Sequence, residues 1–412
     1  MKVSLLSLGC KVNQSEFFEV ESVLRKRGTG IVDLDQKPDF CVINTCSVTG
    51  KSDYQSRQLI RRAAASGAKV IVTGCYSELN LEAVLKMKGV VHVIRNAKKD
   101  SIINILNENS SSISLSQDTQ KRSRFPVKIQ DGCDYSCSYC LIPAARGRSR
   151  SIPPEELIKK IDDAVSTGYR EVVLTGIHIG LYGLDLAPKM PLIRLLNEIF
   201  EKTAIYRLRI SSLEVTELDE RLLYFMKSGR LCPHLHIPLQ SGDDRILSLM
   251  KRPYKVKEFR EKVLFFSDQI PDLGLGTDVI VGFPGEGEGE FENTSALLKE
   301  LPFTYMHVFP YSDRPGTRAS LMPIKVPPQE KKARAARLRE IALEKKAAFL
   351  ASLHGREEEL LIEEAAPGVV SGTTGNYVKA LARVPETVSK GNIVRIRFEG
   401  QEKGIALAKP LN

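Results

Sequence analysis

No apolar run in this 412-residue chain approaches the ~20 residues needed to cross a bilayer, so no spanning helix and no membrane partner are expected. Nor does its start read as an export signal. Met1–Cys10 is apolar over too short a stretch, and no small-residue cleavage site follows. Cysteine is scarce: eight residues are too few for a disulfide scaffold and fit a reducing compartment, the cytoplasm, where thiols stay free for metal. Acidic residues are the minority, 50 against 60 Lys and Arg, which leaves a net charge of +10. That balance favours a polyanionic partner, with nucleic acid ahead of an acidic membrane surface. Hydrophobic and charged fractions of 42% and 27% are ordinary for a globular protein, and the length allows two to four domains.

The few cysteines are concentrated. Asp131-Gly132-Cys133-Asp134-Tyr135-Ser136-Cys137-Ser138-Tyr139-Cys140 places three in a Cys-x3-Cys-x2-Cys run. Zinc prefers four ligands in paired knuckles, and no fourth partner is nearby. Three thiolates on one loop suit a cubane iron–sulfur cluster with one iron left open, which an amine and a carboxylate of a small molecule can chelate.

The first hundred residues read as a small α/β domain. Strands are expected at Lys2–Gly9, Asp39–Thr45 and Lys69–Gly74, with a helix from about Ser15 and another over Tyr54–Ser66. Helices between strands imply a parallel sheet, and ligands gather beyond the carboxyl ends of such strands. Cys10, Cys46 and Cys75 each stand at one of those ends, a second three-thiolate constellation. Cys41 and Cys232 read as small buried hydrophobes.

Residues 107–124 are rich in Ser, Asn and Gln and read as a linker. Beyond it, strands are expected at Val127–Gln130, Glu171–Thr175, Tyr206–Ser211, His234–Leu239, Leu275–Val281 and Tyr305–Phe309. Helices fall at Pro154–Gly168, Pro191–Glu201, Glu217–Gly229, Lys255–Asp268 and Glu288–Leu301. Six βα units predict a parallel sheet curled into a partial (β/α)6 barrel with its working residues on the carboxyl rim. The cysteine loop follows the first strand, and Thr175-Gly176, Ser211-Ser212 with Glu214, Gln240-Ser241 and Asp278 point to the same rim. Gln329–Leu353 reads as a solvated helix joining domains. Glu357–Glu363, Gly375–Val384 and Asn392–Glu399, between Gly-containing turns, predict a small antiparallel β-barrel.

Taken together, these motifs resemble the radical S-adenosylmethionine (SAM) methylthiotransferases along the whole chain. The resemblance implies an N-terminal methylthiotransferase domain (1–106), a linker (107–124), a radical SAM core (125–350) and a TRAM domain (351–412). It implies two 4Fe-4S clusters, one held by Cys133, Cys137 and Cys140 with SAM on its open iron, the other auxiliary and held by Cys10, Cys46 and Cys75. Tyr139 would lie against the adenine of SAM, and Thr175, Gly176, Ser211, Ser212 and Glu214 are candidates for further SAM contacts. Leu8-Gly9-Cys10-Lys11-Val12-Asn13-Gln14-Ser15-Glu16, Leu174–Gly180, His236–Gly242 and Arg146–Ser151 look like the branch that modifies threonylcarbamoyladenosine 37 of tRNA (MtaB type). The isopentenyladenosine branch usually carries Gln-Asn near the position of His178, here a substrate-pocket candidate.

The implied reaction replaces an aromatic C–H at C2 of the base by C–S–CH3, which no side-chain acid or base can do. It would draw on an external electron donor and a sulfur source. The alternatives are isopentenyladenosine 37, a ribosomal-protein aspartate, or a non-catalytic iron–sulfur RNA-binding redox sensor. Positive charge would hold the anticodon stem-loop. The basic stretch from Lys121 to Arg150 offers Arg146, Arg148 and Arg150, and the C-terminal barrel offers Lys379, Arg383, Arg395 and Arg397. With no cysteine or histidine in Glu357–Asn412, that barrel is expected to add affinity only, and to be removable without disturbing the rest.

Overall fold

The computed structural model describes residues 1–108, 122–384 and 388–411. Most of the expected linker therefore lies outside the described residues, as does Lys121. In the N-terminal part, β1 (Lys2–Ser7), β2 (Gly30–Ile31), β3 (Phe40–Thr45), β4 (Lys69–Gly74) and β5 (Val90–Val93) form one parallel sheet in the order β2-β1-β3-β4-β5. The central strand, Phe-Cys-Val-Ile-Asn-Thr, is buried at every position because helices cover both faces.

The first helix, α1 (Lys11–Lys26), starts four residues earlier than expected. Cys10 occupies its N-cap position, and Ser15 instead donates to the Val12 carbonyl within the first turn. Helix α2 (Gly50–Ala65) also starts early, because Thr49 rather than a later residue caps it by accepting from Ser52 N–H.

The central part curls six strands into a partial barrel. β6 (Arg124–Asp131) carries a short antiparallel partner, β7 (Arg150–Ser151), and pairs in parallel with β8 (Glu171–Gly176), which pairs with β9 (Arg207–Ile210). A second parallel sheet holds β10 (His234–His236), β11 (Gly274–Val281) and β12 (Tyr305–Pro310). Main-chain bonds from Cys232 N–H to Leu208 O (2.8 Å) and Leu213 N–H to His236 O (3.0 Å) stitch the halves together.

Alternation along these strands sorts side chains by chemistry. Val127, Ile129, Val172, Leu174, Leu208 and Ile210 join the apolar core under the surrounding helices. The intervening positions are mostly polar, with Pro126 and Val173 the exceptions. Glu171, fully buried, accepts from Arg207 Nε and Arg209 Nε at 2.8 Å each, and Arg124 Nε stands 3.2 Å away. Asp244–Met250 is an unexpected helix capped by Asp243, and the helix expected over Glu217–Gly229 shrinks to Leu222–Lys227. The long helix Pro328–Ser352 is less solvated than its composition implies. It buries Arg334, Ala335, Leu338 and Ile341, and Arg334 donates to Glu286 at 2.7 Å.

The C-terminal part is a closed five-stranded barrel of β13 (Glu357–Ala366), β14 (Val369–Thr374), β15 (Lys379–Arg383), β16 (Ile393–Glu402) and β17 (Ile405–Pro410), in the order β13-β14-β15-β17-β16. Every pairing is antiparallel except β15 with β17, which is parallel.

This barrel is not a detachable appendage. It caps the amino end of the central barrel, where Arg209 donates to Thr374 O (2.9 Å) and Gly375 O (3.0 Å) and Arg124 pairs with Glu363. Tyr377 stacks on His234 at 4.4 Å. Removing residues 355–412 would strip partners from buried guanidiniums, so the expectation that the rest survives such a truncation is corrected.

Glu171 is the pivot of that junction. Burial opposes its ionisation, but Arg209, Arg207 and Arg124 outweigh burial and hold the carboxyl down to about 2. Glu171→Gln is expected to lower stability by about 3–5 kcal/mol, measured by urea unfolding, because it leaves guanidiniums buried without their anion. A carboxyl depressed on folding stabilises fully above its unfolded value of about 4.3 and loses that contribution as pH falls toward the folded value. The wild type should therefore lose stability between those limits while the variant lacks that component of the decline.

Candidate active site

Three parallel neighbours deliver the N-terminal cysteines to one edge. Cys10 follows β1, Cys46 follows β3 directly, and Cys75 follows β4 as the first residue of a short helix. Two glycines permit the approach. Gly9 (φ +93°) would place a Cβ 2.6 Å from Cys46 Sγ, and Gly74 (φ +102°) would place one 2.3 Å from Thr45 O. Asn13 ties the loops by donating to Leu8 O (2.7 Å) and Thr45 O (3.0 Å). Burial pushes the Cys46 and Cys75 thiols up; charge on Cys10 adds to this at both, and Arg146 pulls Cys75 back.

Arg146 comes from the other domain and is a correction. Its side chain has no exposed surface, so it does not meet RNA. It donates to Asp131 Oδ1 (2.8 Å), Glu16 Oε1 (3.0 Å) and Asn13 Oδ1 (2.5 Å). Arg148 and Arg150 are exposed beside it.

The Cys133–Cys140 loop leaves the carboxyl end of β6. Nitrogen atoms surround its sulfurs. Tyr135 N–H and Ile142 N–H donate to Cys133 and Cys140 Sγ at 3.4 Å each, and Arg252 Nη1 donates to Cys137 Sγ at 3.4 Å. His178 Nδ1 lies 3.3 Å from Cys133 Sγ and its Nε2 lies 2.5 Å from Glu217 Oε1. The histidine expected in a substrate pocket thus braces a cysteine. Burial and the neighbouring thiols push Cys140 up to about 12. Such thiols stay protonated until a metal takes them, and donors aimed at sulfur suit cluster thiolates. Both triads therefore have the donor set for an iron–sulfur cluster.

The SAM candidates divide. Tyr139 packs edge-on against Phe283 and lines a cavity of about 210 Å³ with Gln240, Asp278, Tyr311 and the Val48-Thr49 loop of the N-terminal part. Gln240 sits there at φ +66°, a conformation non-glycine residues seldom adopt without a constraint. Glu214 pairs with Arg252 and so reaches the cysteine loop. Ser212 shares a 2.7 Å hydrogen bond with His236, whose Nε2 lies 3.2 Å from Asp278 Oδ1, with His307 Nδ1 3.0 Å from the same oxygen. Gly176 is a packing position, since a Cβ there would meet Ile179 at 2.8 Å.

Thr175 and Ser211 are buried with hydroxyls that have no partner. Thr175 lines a second cavity, of about 360 Å³, shared with Lys11, Arg122, Ser123 and Arg209. Burial, then Arg209 and Arg124, lower Lys11 to about 8 although its side chain stays open to that cavity. Arg252, Lys11 and Arg209 carry no local signature. Arg252 was findable only through the cysteine it reaches from 115 residues away.

On the C-terminal barrel Lys379, Arg383, Arg395 and Arg397 all face outward and are exposed. Arg395 and Arg397 both pair with Glu357, at 2.9 and 2.5 Å, which reduces what they offer a phosphate. Arg397 stands opposite Lys409, and Ala382 opposite Ala408, so Arg383, Lys409 and Arg397 follow one another across three strands.

Two family models match the chain. Residues 127–298 match the Radical SAM superfamily, and residues 2–95 match Uncharacterized protein family UPF0004. The threonylcarbamoyladenosine tRNA methylthiotransferase MtaB of Aquifex aeolicus is 37% identical over 88% of this chain and 93% of its own length. That of Bacillus subtilis is 34% identical over 96% and 93%. A tRNA-2-methylthio-N(6)-dimethylallyladenosine synthase of Syntrophobacter fumaroxidans is 32% identical over 98% and 95%. Among solved structures, the radical S-adenosylmethionine methyltransferase TsrM of Kitasatospora setae, with cobalamin and a [4Fe-4S] cluster bound, superposes with a TM-score of 0.56 at 13% identity. It covers 90% of this chain and 80% of its own, a likeness of fold.

Replacing Cys10, Cys46 and Cys75 together by alanine is expected to remove about half the iron bound after anaerobic reconstitution, and Cys137→Ala the other half. Iron unchanged in the triple variant would make those thiols structural.

Proposed function

The chain belongs to the MtaB branch of the radical SAM methylthiotransferases, and on that premise we propose that it adds a methylthio group to C2 of N6-threonylcarbamoyladenosine 37 in tRNA. The observation that carries the reading is the contiguity of the two cysteine triads. Arg146, six residues beyond Cys140, is buried against Asn13 and Glu16 of α1 and against Cys75. One guanidinium thus ties the auxiliary triad to Asp131, at the end of β6 from which the cysteine loop leaves. When bound, the clusters and SAM supply one-electron cleavage of a C–S bond and the sulfur for the new one.

The chain's own residues do the rest. We assign Cys133, Cys137 and Cys140 to the SAM cluster and Cys10, Cys46 and Cys75 to the auxiliary cluster. His178 and Arg252 fix the orientation of the Cys133 and Cys137 sulfurs and temper their charge. Tyr139, Gln240 and Glu214 would hold SAM beside the cysteine loop. Ser211, Ser212 and Thr175 would line the way to the target base.

The division of labour follows the chain: 1–106 for the auxiliary cluster, 125–350 for radical chemistry, and 351–412 for closing the barrel and gripping RNA. Arg148, Arg150, Lys379 and Arg383 would meet phosphates of the anticodon stem-loop. An external electron donor and a sulfur source complete the cycle, in the cytoplasm where tRNA is modified. A protein aspartate as target is disfavoured by the net charge of +10 and the row of exposed basic side chains on the C-terminal barrel.

Mass spectrometry of tRNA nucleosides from a strain lacking the gene tests this. The methylthio group should vanish from threonylcarbamoyladenosine alone. Loss from dimethylallyladenosine instead would move the chain to the other branch.

A further inference from the structure

We propose that the cation-lined cavity between α1, β6, β8 and β9 is the subsite for the carboxylate of the threonylcarbamoyl group, with Lys11 as the residue that reads it. The proposal rests on the function above and adds how that substrate is told apart from a neutral one. Lys11 follows Cys10 directly, so the cavity opens one residue from the auxiliary triad. A base whose N6 substituent fills this cavity would stay beside the auxiliary triad.

Charge in the cavity is unbalanced. Lys11, Arg122, Arg124 and Arg209 line it with one carboxylate, Glu363, which is paired with Arg124. Glu171 beneath is already shared by three guanidiniums. Among the described residues no carboxylate forms an ion pair with Lys11. Its ammonium lies over the Tyr377 ring, 5.4 Å from the centroid. The Lys11 ammonium is exposed at the mouth of this cavity and so is free to meet an incoming anion.

Independent of charge, two hydroxyls lining the same cavity have no partner. Thr175 Oγ1 and Ser123 Oγ are buried, at 1% and 6% residue exposure, and neither forms a hydrogen bond. Native proteins seldom leave such groups unpaired. A threonylcarbamoyl group presents a carboxylate, a hydroxyl and a carbonyl, enough acceptors for one ammonium and two hydroxyls. A dimethylallyl group offers none, and it would leave all three unpaired. A volume of about 360 Å³ lies within the range of small-molecule sites.

The test compares three anticodon stem-loop RNAs that differ only at position 37: threonylcarbamoyladenosine, its carboxamide analogue, and adenosine. Wild-type protein with both clusters should bind the carboxylate form about ten- to a hundredfold more tightly than the carboxamide, the worth of one charge-assisted hydrogen bond. Lys11→Met should erase that preference at unchanged iron content, and Lys11→Arg should keep most of it. Equal binding of all three RNAs by the wild type would overturn the proposal and leave the cavity to backbone phosphate. A preference that survives Lys11→Met would overturn the role of Lys11. Methylthio transfer to the threonylcarbamoyl RNA, measured alongside, separates the two readings: without transfer the functional assignment falls, and with transfer but no carboxylate preference only this inference does.

Discussion

A guanidinium buried between two domains sets the geometry on which the rest depends. Arg146 has to be neutralised where it sits, and Glu16 of α1 and Asp131 at the end of β6 do so at 3.0 and 2.8 Å. Lys99 and Lys128 crowd the same Glu16, so that one carboxylate collects three cations. Burial resists its ionisation, but Lys99, Arg146 and Lys128 drive its pKa far below the ordinary carboxylate range. Such a network gains little from mere proximity and loses much when one member is missing, so the two domains are held in a single relative position. Both cysteine triads inherit that position. Neither triad needs to be flexible for the other to be reached.

The central barrel is unusual in what it encloses. Its outer residues pack as any βα sheet does, while its lumen carries Glu171, Arg209, His234, His236, Asp278 and Tyr305. An interior of this kind does not close on itself by hydrophobic contact. It is closed instead by Tyr377 and the Thr374-Gly375 carbonyls of the C-terminal barrel, which satisfy groups that would otherwise be buried and unpaired. The C-terminal barrel therefore contributes to the stability of the central barrel.

Much of this was legible in the sequence, and the reasons for the exceptions are physical. Strand ends carrying Cys10, Cys46 and Cys75 could be read because parallel strands flanked by helices leave one edge for ligands. The cysteine loop could be read from its spacing alone. Arg146 misled because an arginine among Arg148 and Arg150 looks like a phosphate ligand, and nothing local reveals that Glu16, 130 positions earlier, will bury it. His178 looked like a pocket residue and instead braces Cys133. Strands β14 and β17 were missed because Gly372 and the short Ala-rich run at Ile405–Pro410 weaken the alternating pattern. The starts of α1 and α2 were placed late because Cys10 is not a favoured cap and Thr49 stands before Gly50.

The stopper formed by Tyr377 has a topological consequence. Tyr377 stacks on His234 at the amino end of the lumen, whereas the exposed Arg148 and Arg150 stand on the carboxyl side. A nucleic acid seated on those arginines would lie across that doorway. The macromolecule awaiting modification would then double as a lid that keeps water and oxidants from a reactive intermediate.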